Sequence, residues 1–190
     1  MTATRRPARI GVVALAAAVA VALVLGPAAP ASARGNRDDL RQLRRATEAY
    51  QDIDNVLAAG YGLFTDAAGV ACIVDPNGRG GMGIHYANGA LVGDPAVDLV
   101  SPEVLLYRET ASGHQLLGVE YVVLVDAWGA DRPPPRLFGR QLRLVPEGNR
   151  YGLPAFYELH VWLYHDNPDG IYKDYNPRVD CLFCDEPSGG

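Results

Sequence analysis

Beyond Leu25 the chain has no long apolar run, so no later segment supplies the roughly 20 residues a membrane-spanning helix needs. It lacks a G-x-S-x-G elbow, an H-E-x-x-H pair and a G-x-G-x-x-G between strand and helix, which removes the most familiar hydrolase, zinc-protease and dinucleotide signatures. The Gly-rich stretch Asp75-Pro76-Asn77-Gly78-Arg79-Gly80-Gly81 has no G-K-[ST] ending and reads as turn chemistry, not a phosphate loop. The few serines after residue 33 fall in turns or near the C-terminus, and no pair of carboxylates stands out as a glycosidase would require. There is no internal repeat. Cysteine is scarce, with three residues in 190.

The first residues carry a three-part export pattern. Arg5, Arg6 and Arg9 form a positive start, Ile10 to Leu25 is apolar, Gly26-Pro27 breaks it, and Ala31-Ser32-Ala33 supplies small residues for a signal peptidase. The expected cut lies between Ala33 and Arg34. The apolar run is too short for an anchor, and no cysteine at the cut offers a lipid attachment point. Arg5-Arg6 is followed by Pro7 and Ala8, a poor fit to a twin-arginine address, so the export route stays open. Removing residues 1–33 takes away three of 17 basic residues and none of 22 acidic ones, leaving 14 against 22 and a formal net charge of −8. That balance argues against nucleic acid and anionic membranes as partners. The expected product is secreted, with no stable membrane insertion.

An oxidising compartment makes a disulfide more plausible than three free thiols. Cys72–Cys181 is the favoured pair, closing a loop of over a hundred residues, which contributes about 4–5 kcal/mol on the chain-entropy argument. Cys181-Leu182-Phe183-Cys184 has redox-type C-x-x-C spacing, but Asp185, Glu186, Pro187 and a Gly-rich end follow it instead of a helix. With Cys72–Cys181 formed, Cys184 is odd, either free or paired to another chain.

Residues 34–60 read as one helix. Leu40, Leu43, Ala46, Tyr50, Ile53 and Leu57 recur at steps of three or four, Asn36 or Asp38 can cap the start, and Gly60 suits the position after the end. Arg41, Arg44, Arg45, Glu48 and Asp52 are expected on its solvated face. From residue 61 to 181, short Val-, Leu- and Tyr-rich runs alternate with Gly/Pro/Asn/Asp clusters, the pattern of antiparallel strands. The expected strands are 71–74, 82–86, 104–109, 116–125, an edge strand at 138–145, and 156–164, the strongest. His114 is expected in an exposed hairpin turn, and residues 182–190 as a flexible tail. The fold class is therefore α+β: an N-terminal helix, then an antiparallel sheet that either curls or closes into a small barrel, with one disulfide.

Chemistry is confined to polar residues set in apolar strands. Glu120 lies in Leu117–Val125 and is costly to bury unless paired, hydrogen-bonded or bound to a cation. In Tyr157–Tyr164 the period of two puts Glu158, His160, Trp162 and Tyr164 on one face, the expected pocket wall, and Leu159, Val161 and Leu163 on the other. His85 sits in Gly83-Ile84-His85-Tyr86. If His85, Glu120 and His160 converge, they form a two-histidine, one-carboxylate site suited to one zinc, copper, iron or manganese ion with an open position. The alternative pairs Glu120 with Arg108 or Arg140 and leaves both histidines structural; a third makes them an acid–base pair acting on an organic ligand. His165 is expected at the surface.

Several segments act together as a pattern: Ala58-Ala59-Gly60-Tyr61, the Cys72 strand, Gly81-Met82-Gly83-Ile84-His85-Tyr86, Glu103-Val104-Leu105-Leu106-Tyr107 and Leu117-Gly118-Val119-Glu120-Tyr121. Leu137-Phe138-Gly139, Leu159-His160-Val161-Trp162-Leu163, Asn167-Pro168 and Asn176-Pro177-Arg178-Val179-Asp180-Cys181 complete it. In this order, from about Arg45 to Cys181, they resemble a family of small secreted bacterial proteins with no assigned activity. The resemblance implies cysteines paired at Cys72 and Cys181, and the same histidines and glutamate at His85, His160 and Glu120. The chain departs from it at Asn88-Gly89, at Cys184 and around Trp128 to Pro135. The functional expectation is a secreted protein that binds a metal or small ligand through the His/His/Glu cluster. A secreted metalloenzyme using the same residues and a metal-free structural or interaction domain of the cell envelope are the alternatives, and no catalytic residue is assigned.

Overall fold

A computed structural model describes residues 31–181; the expected export signal as far as residue 30 and the expected tail with Cys184 lie outside them. The first helix, α1, covers Ala31–Thr47, a 3-10 turn follows over Glu48–Gln51, and α2 covers Ile53–Ala58. The single helix expected over 34–60 is thus broken. Two side chains that compete for backbone groups mark the break: Thr47 Oγ1 donates back to the Leu43 carbonyl (2.9 Å), and extended Asp52 accepts from the Asp54 N–H (3.0 Å) as the N-cap of α2. The turn shifts the helical phase. Leu43, Thr47 and Val56 are buried, whereas Ala46 and Leu57, expected on the core face, are exposed. Gly60 does follow the end, in the left-handed region (φ 86°). Arg44 turns back from the solvent side, with its guanidinium 4.6 Å from the Tyr164 ring centre and a hydrogen bond to the Leu163 carbonyl.

The sheet is antiparallel and seven-stranded. Its strands are β1 (Gly62–Phe64), β2 (Cys72–Val74), β3 (Gly81–Ala87), β4 (Val104–Thr110), β5 (Gly113–Leu124), β8 (Arg143–Val145) and β9 (Phe156–Val161), in the order β1-β3-β4-β5-β9-β8 with β2 also on β3. A separate hairpin joins β6 (Arg136–Leu137) to β7 (Arg140–Gln141), and two short helices, α3 (Gly89–Val92) and α4 (Val125–Trp128), interrupt the loops. The sheet is open, with β8 at one edge and β1 and β2 at the other, so the barrel does not close.

Two strands are shorter than the apolar pattern suggests. Phe138 and Gly139, placed in an edge strand by their neighbours, form the two-residue turn of the β6–β7 hairpin; both have positive φ (52° and 69°), as such turns require. Strand β9 ends at Val161 because the chain then bonds elsewhere: the Trp162 N–H donates to the Ile171 carbonyl (2.9 Å) and the Tyr164 N–H to the Leu117 carbonyl (2.9 Å). Gly118 permits this close approach, since a Cβ there would sit 2.4 Å from the Val161 carbonyl oxygen.

Each face of the sheet carries its own core. Tyr86, Leu105, Tyr107, Val119, Tyr121 and Val161 pack beneath Leu43 and Val56 of the helices. Val104, Leu106, Val122, Phe156 and Trp162 lie on the other face, joined by Val145 and Val179. No helix of the described residues is long and apolar enough to cross a membrane. The second face is covered by the segment 171–181. Asn176 and Gly81 exchange backbone hydrogen bonds (3.2 and 2.9 Å), Trp162 Nε1 donates to the Lys173 carbonyl (2.5 Å), and the Cys72–Cys181 disulfide (Cα–Cα 5.8 Å) ties down the end.

Candidate metal centre

Sheet register brings the three expected ligands to the face under this strap. Glu120 on β5 is the direct partner of His160 on β9. His85 on β3 is paired with Leu106 of β4, whose own partner is Gly118, two residues before Glu120 and hence on the same face. All three side chains are buried, and each offers a donor atom within 4.8 Å of the others. His85 Nε2 lies 3.6 Å from Glu120 Oε2, and His160 Nε2 lies 3.8 Å from Glu120 Oε1. These separations exceed hydrogen-bond length. They are close to the spacing of about 3.4 Å between donors held at about 2.1 Å around a tetrahedral ion.

None of the four ring nitrogens of His85 and His160 has a hydrogen-bond partner. Burial lowers the His85 pKa to about 3, helped by the facing His160. Burial does the same to His160, with Arg143 adding to the effect. Both imidazoles are therefore neutral at physiological pH, the form that ligates a metal. Glu120 is driven the other way. Burial raises its pKa well above the ordinary carboxylate value, and the neighbouring Glu158 carboxyl raises it further. The arginines expected as its partners are engaged elsewhere: Arg108 Nε donates to Gln115 Oε1 (2.7 Å), and the Arg140 guanidinium lies 4.4 Å from the Tyr172 ring centre.

Two residues without a sequence signal complete the surroundings. Arg143 on β8 pairs with the buried Glu158 and with Asp174 (3.0 Å). Asp174 Oδ1 in turn faces His160 Nδ1 at 3.8 Å, on the side of the ring away from Glu120. Asp174 belongs to the strap and Arg143 to a short edge strand, so neither follows from strand periodicity. Glu158 is raised to about 7, chiefly by burial, with Arg143 opposing the rise.

The expected pocket wall divides. Glu158 lines a polar cleft of about 650 Å³ with Arg79, Arg143, Tyr172 and Asp174. Trp162 shares the site face but is packed into the core. Tyr164 lies on the helix side instead, its hydroxyl donating to the Arg44 carbonyl (2.9 Å) and bonded to Thr47 Oγ1 (2.9 Å), because the chain has left the ladder after Val161. His165 is half-buried, not on the surface, and His114 is exposed as expected but lies in β5, paired with Glu109, and not in the turn. A second cavity, of about 200 Å³, opens on the opposite flank of the cluster; His85 and Glu120 form part of its wall, with Phe64, Val104, Val122, Tyr151 and Phe156. The loop bearing Tyr151 is fixed by Asn149 Oδ1, which accepts from the N–H groups of Tyr151 (3.2 Å) and Leu153 (3.3 Å), and by Arg150 paired with buried Asp66 (2.8 Å).

Compared with protein-family models, curated proteins and solved structures, the chain finds no match.

Proposed function

We propose that this chain is an exported protein that binds one transition-metal ion (zinc, copper, iron or manganese) through His85, Glu120 and His160. One observation carries the reading. Two buried imidazoles, none of whose nitrogens has a hydrogen-bond partner, each turn Nε2 toward one buried carboxylate, and each unsatisfied buried polar group costs about 1–3 kcal/mol. Structural histidines are normally hydrogen-bonded, whereas a bound ion would satisfy the inward nitrogens and the glutamate charge together. Three protein ligands leave a coordination position for water or a small ligand. The resemblance to the secreted bacterial family, with the same two histidines and glutamate, belongs to this proposal, as does removal of residues 1–33.

The apolar cavity against His85 and Glu120 favours a second reading, a secreted metalloenzyme, because it could seat a substrate next to the open position. The metal content of untagged protein, measured by mass spectrometry before and after chelation, tests the common part of both. One equivalent is expected, and it should be lost in His85→Ala/His160→Ala. Absence of stoichiometric metal after incubation with each of the four ions would leave the structural-domain alternative. N-terminal sequencing of exported protein should begin at Arg34.

A further inference from the structure

The geometry points to the ligand of this centre as a monocyclic aromatic molecule bearing one oxygen donor, a phenol in chemical class, with its ring in the apolar cavity and its oxygen on the metal. The inference rests on the metal reading and adds what the site would take. Size comes first. An apolar cavity of about 150 Å³ accommodates benzene; the one here is about 200 Å³, enough for a single ring with a small substituent and too small for a fused system or a sugar.

The lining selects the chemistry of the body. Apart from His85 and Glu120 at the inner end and the tyrosine hydroxyl, the wall is hydrocarbon. That hydroxyl is occupied, since Tyr151 donates to Met82 Sδ (3.5 Å). Four aromatic rings are arranged around the space: Phe64 and Tyr151 have centroids 5.9 Å apart, Tyr151 and Phe156 6.2 Å, and His85 and Tyr151 6.3 Å, all tilted or edge-on. A further ring entering such a set gains edge-to-face contacts that an aliphatic guest of equal volume does not. The mouth is formed at α3, where Gly89 is exposed and Val92 half-buried, so a small neutral molecule has an entry path.

Charge selects the donor. A divalent ion with Glu120 as its one anionic ligand leaves a net single positive charge in a buried site. Beyond the ligands, Glu158 and Asp174 share the one Arg143 on the polar-cleft side, so this single positive charge is that of the ion with its direct ligands. No lysine or arginine lines the apolar cavity, so an anionic group there has only the metal to meet. A phenol enters neutral, which an apolar passage favours. On coordination it displaces the bound water and gives its hydroxyl proton to bulk solvent, leaving a phenolate that neutralises the centre.

The test titrates phenol into the full-length mature protein, metal-free and loaded with cobalt(II). The cobalt visible bands and the methyl resonances of Val92, Val104, Val122 and Leu153 are followed together. The expected result is a shift of both in the loaded protein at millimolar phenol or below, with cyclohexanol and inorganic phosphate much weaker. Val92→Trp, and independently Leu153→Trp, should fill the cavity and weaken phenol binding about tenfold or more with metal stoichiometry unchanged. Silent methyls in a protein that does bind cobalt overturn the inference and leave the metal centre standing. Cyclohexanol binding as tightly as phenol overturns the aromatic assignment. A protein that takes up no cobalt, even with methyls that respond to phenol, removes the metal reading and the coordinated oxygen together.

Discussion

Glu120 and His160 are register partners on adjacent antiparallel strands, with Oε1 and Nε2 3.8 Å apart and no hydrogen bond between them. Cross-strand pairing fixes these two side chains whether or not anything lies between them. On the metal proposal such a pair is preorganised, and binding should require little rearrangement.

Replacing the carboxylate separates its two roles. Glu120→Gln keeps the shape but weakens the charge and donor strength, so metal affinity should fall by at least about 100-fold in chelator competition. The metal-free variant should be at least as stable as the metal-free parent at neutral pH in chemical denaturation, because a buried carboxyl whose ionisation is opposed by burial and by the adjacent Glu158 has been replaced by a neutral amide. A large loss of metal-free stability would mean Glu120 is there for packing and hydrogen bonding.

Asp174 faces the outer nitrogen of His160 at 3.8 Å, so on the metal proposal it would position that ring. Asp174→Asn should lower metal affinity about tenfold while the bound stoichiometry at saturating metal stays the same. Glu158 retains Arg143, so thermal stability should change little. Unaltered affinity would assign Asp174 to the surface ion pair alone.

The disulfide closes a sequence separation of 109 residues and anchors the strap that covers the centre. Cys72→Ala/Cys181→Ala should cost about 4–5 kcal/mol in urea denaturation. Peptide mapping of unreduced protein should find Cys72 linked to Cys181 and Cys184 outside that bond.

Glu103 gives a pH signature independent of the metal site. It is buried, accepts the Val122 N–H through Oε2 (3.0 Å), and has its pKa raised to about 8 by burial. A carboxyl whose folded pKa exceeds its unfolded value contributes its full stability below the unfolded pKa and loses it as pH rises through the folded one. Stability should therefore fall between about pH 4.5 and 8, by up to a few kcal/mol, and Glu103→Gln should flatten that slope. Denaturation midpoints measured across this range check it.

The clearest sequence features were those with a local cause. Alternating apolar residues separated by turn clusters marked β3, β4, β5 and, in the first six residues of the expected strand 156–164, β9, and Gly60 marked the end of the helical region. Where two local signals conflicted, periodicity alone misled. Thr47 and Asp52 broke a helix that the apolar spacing ran straight through, and Phe138-Gly139 became a hairpin turn although positive φ is uncommon for a bulky residue, with the Phe138 ring packed in the core.

The candidate ligands show the same division. Alternation told that His160 and Glu158 share a face and that Glu120 is buried in a strand, because side-chain direction along one strand is set by the backbone period. It could not tell which strands are neighbours, and so could not bring His85, 35 residues from Glu120 in sequence, to within 3.6 Å of it. Pairing order and register decided that, together with the departure of the chain after Val161 that carried Tyr164 to the opposite face. Arg143 and Asp174 reached the site from a short edge strand and a disulfide-held strap. The sequence by itself determined an acidic chain of helix and strands with two cysteines able to pair. Tertiary structure alone decided that the buried imidazoles point at one carboxylate with their nitrogens unmet, because long-range contacts depend on strand order, and no local pattern encodes it.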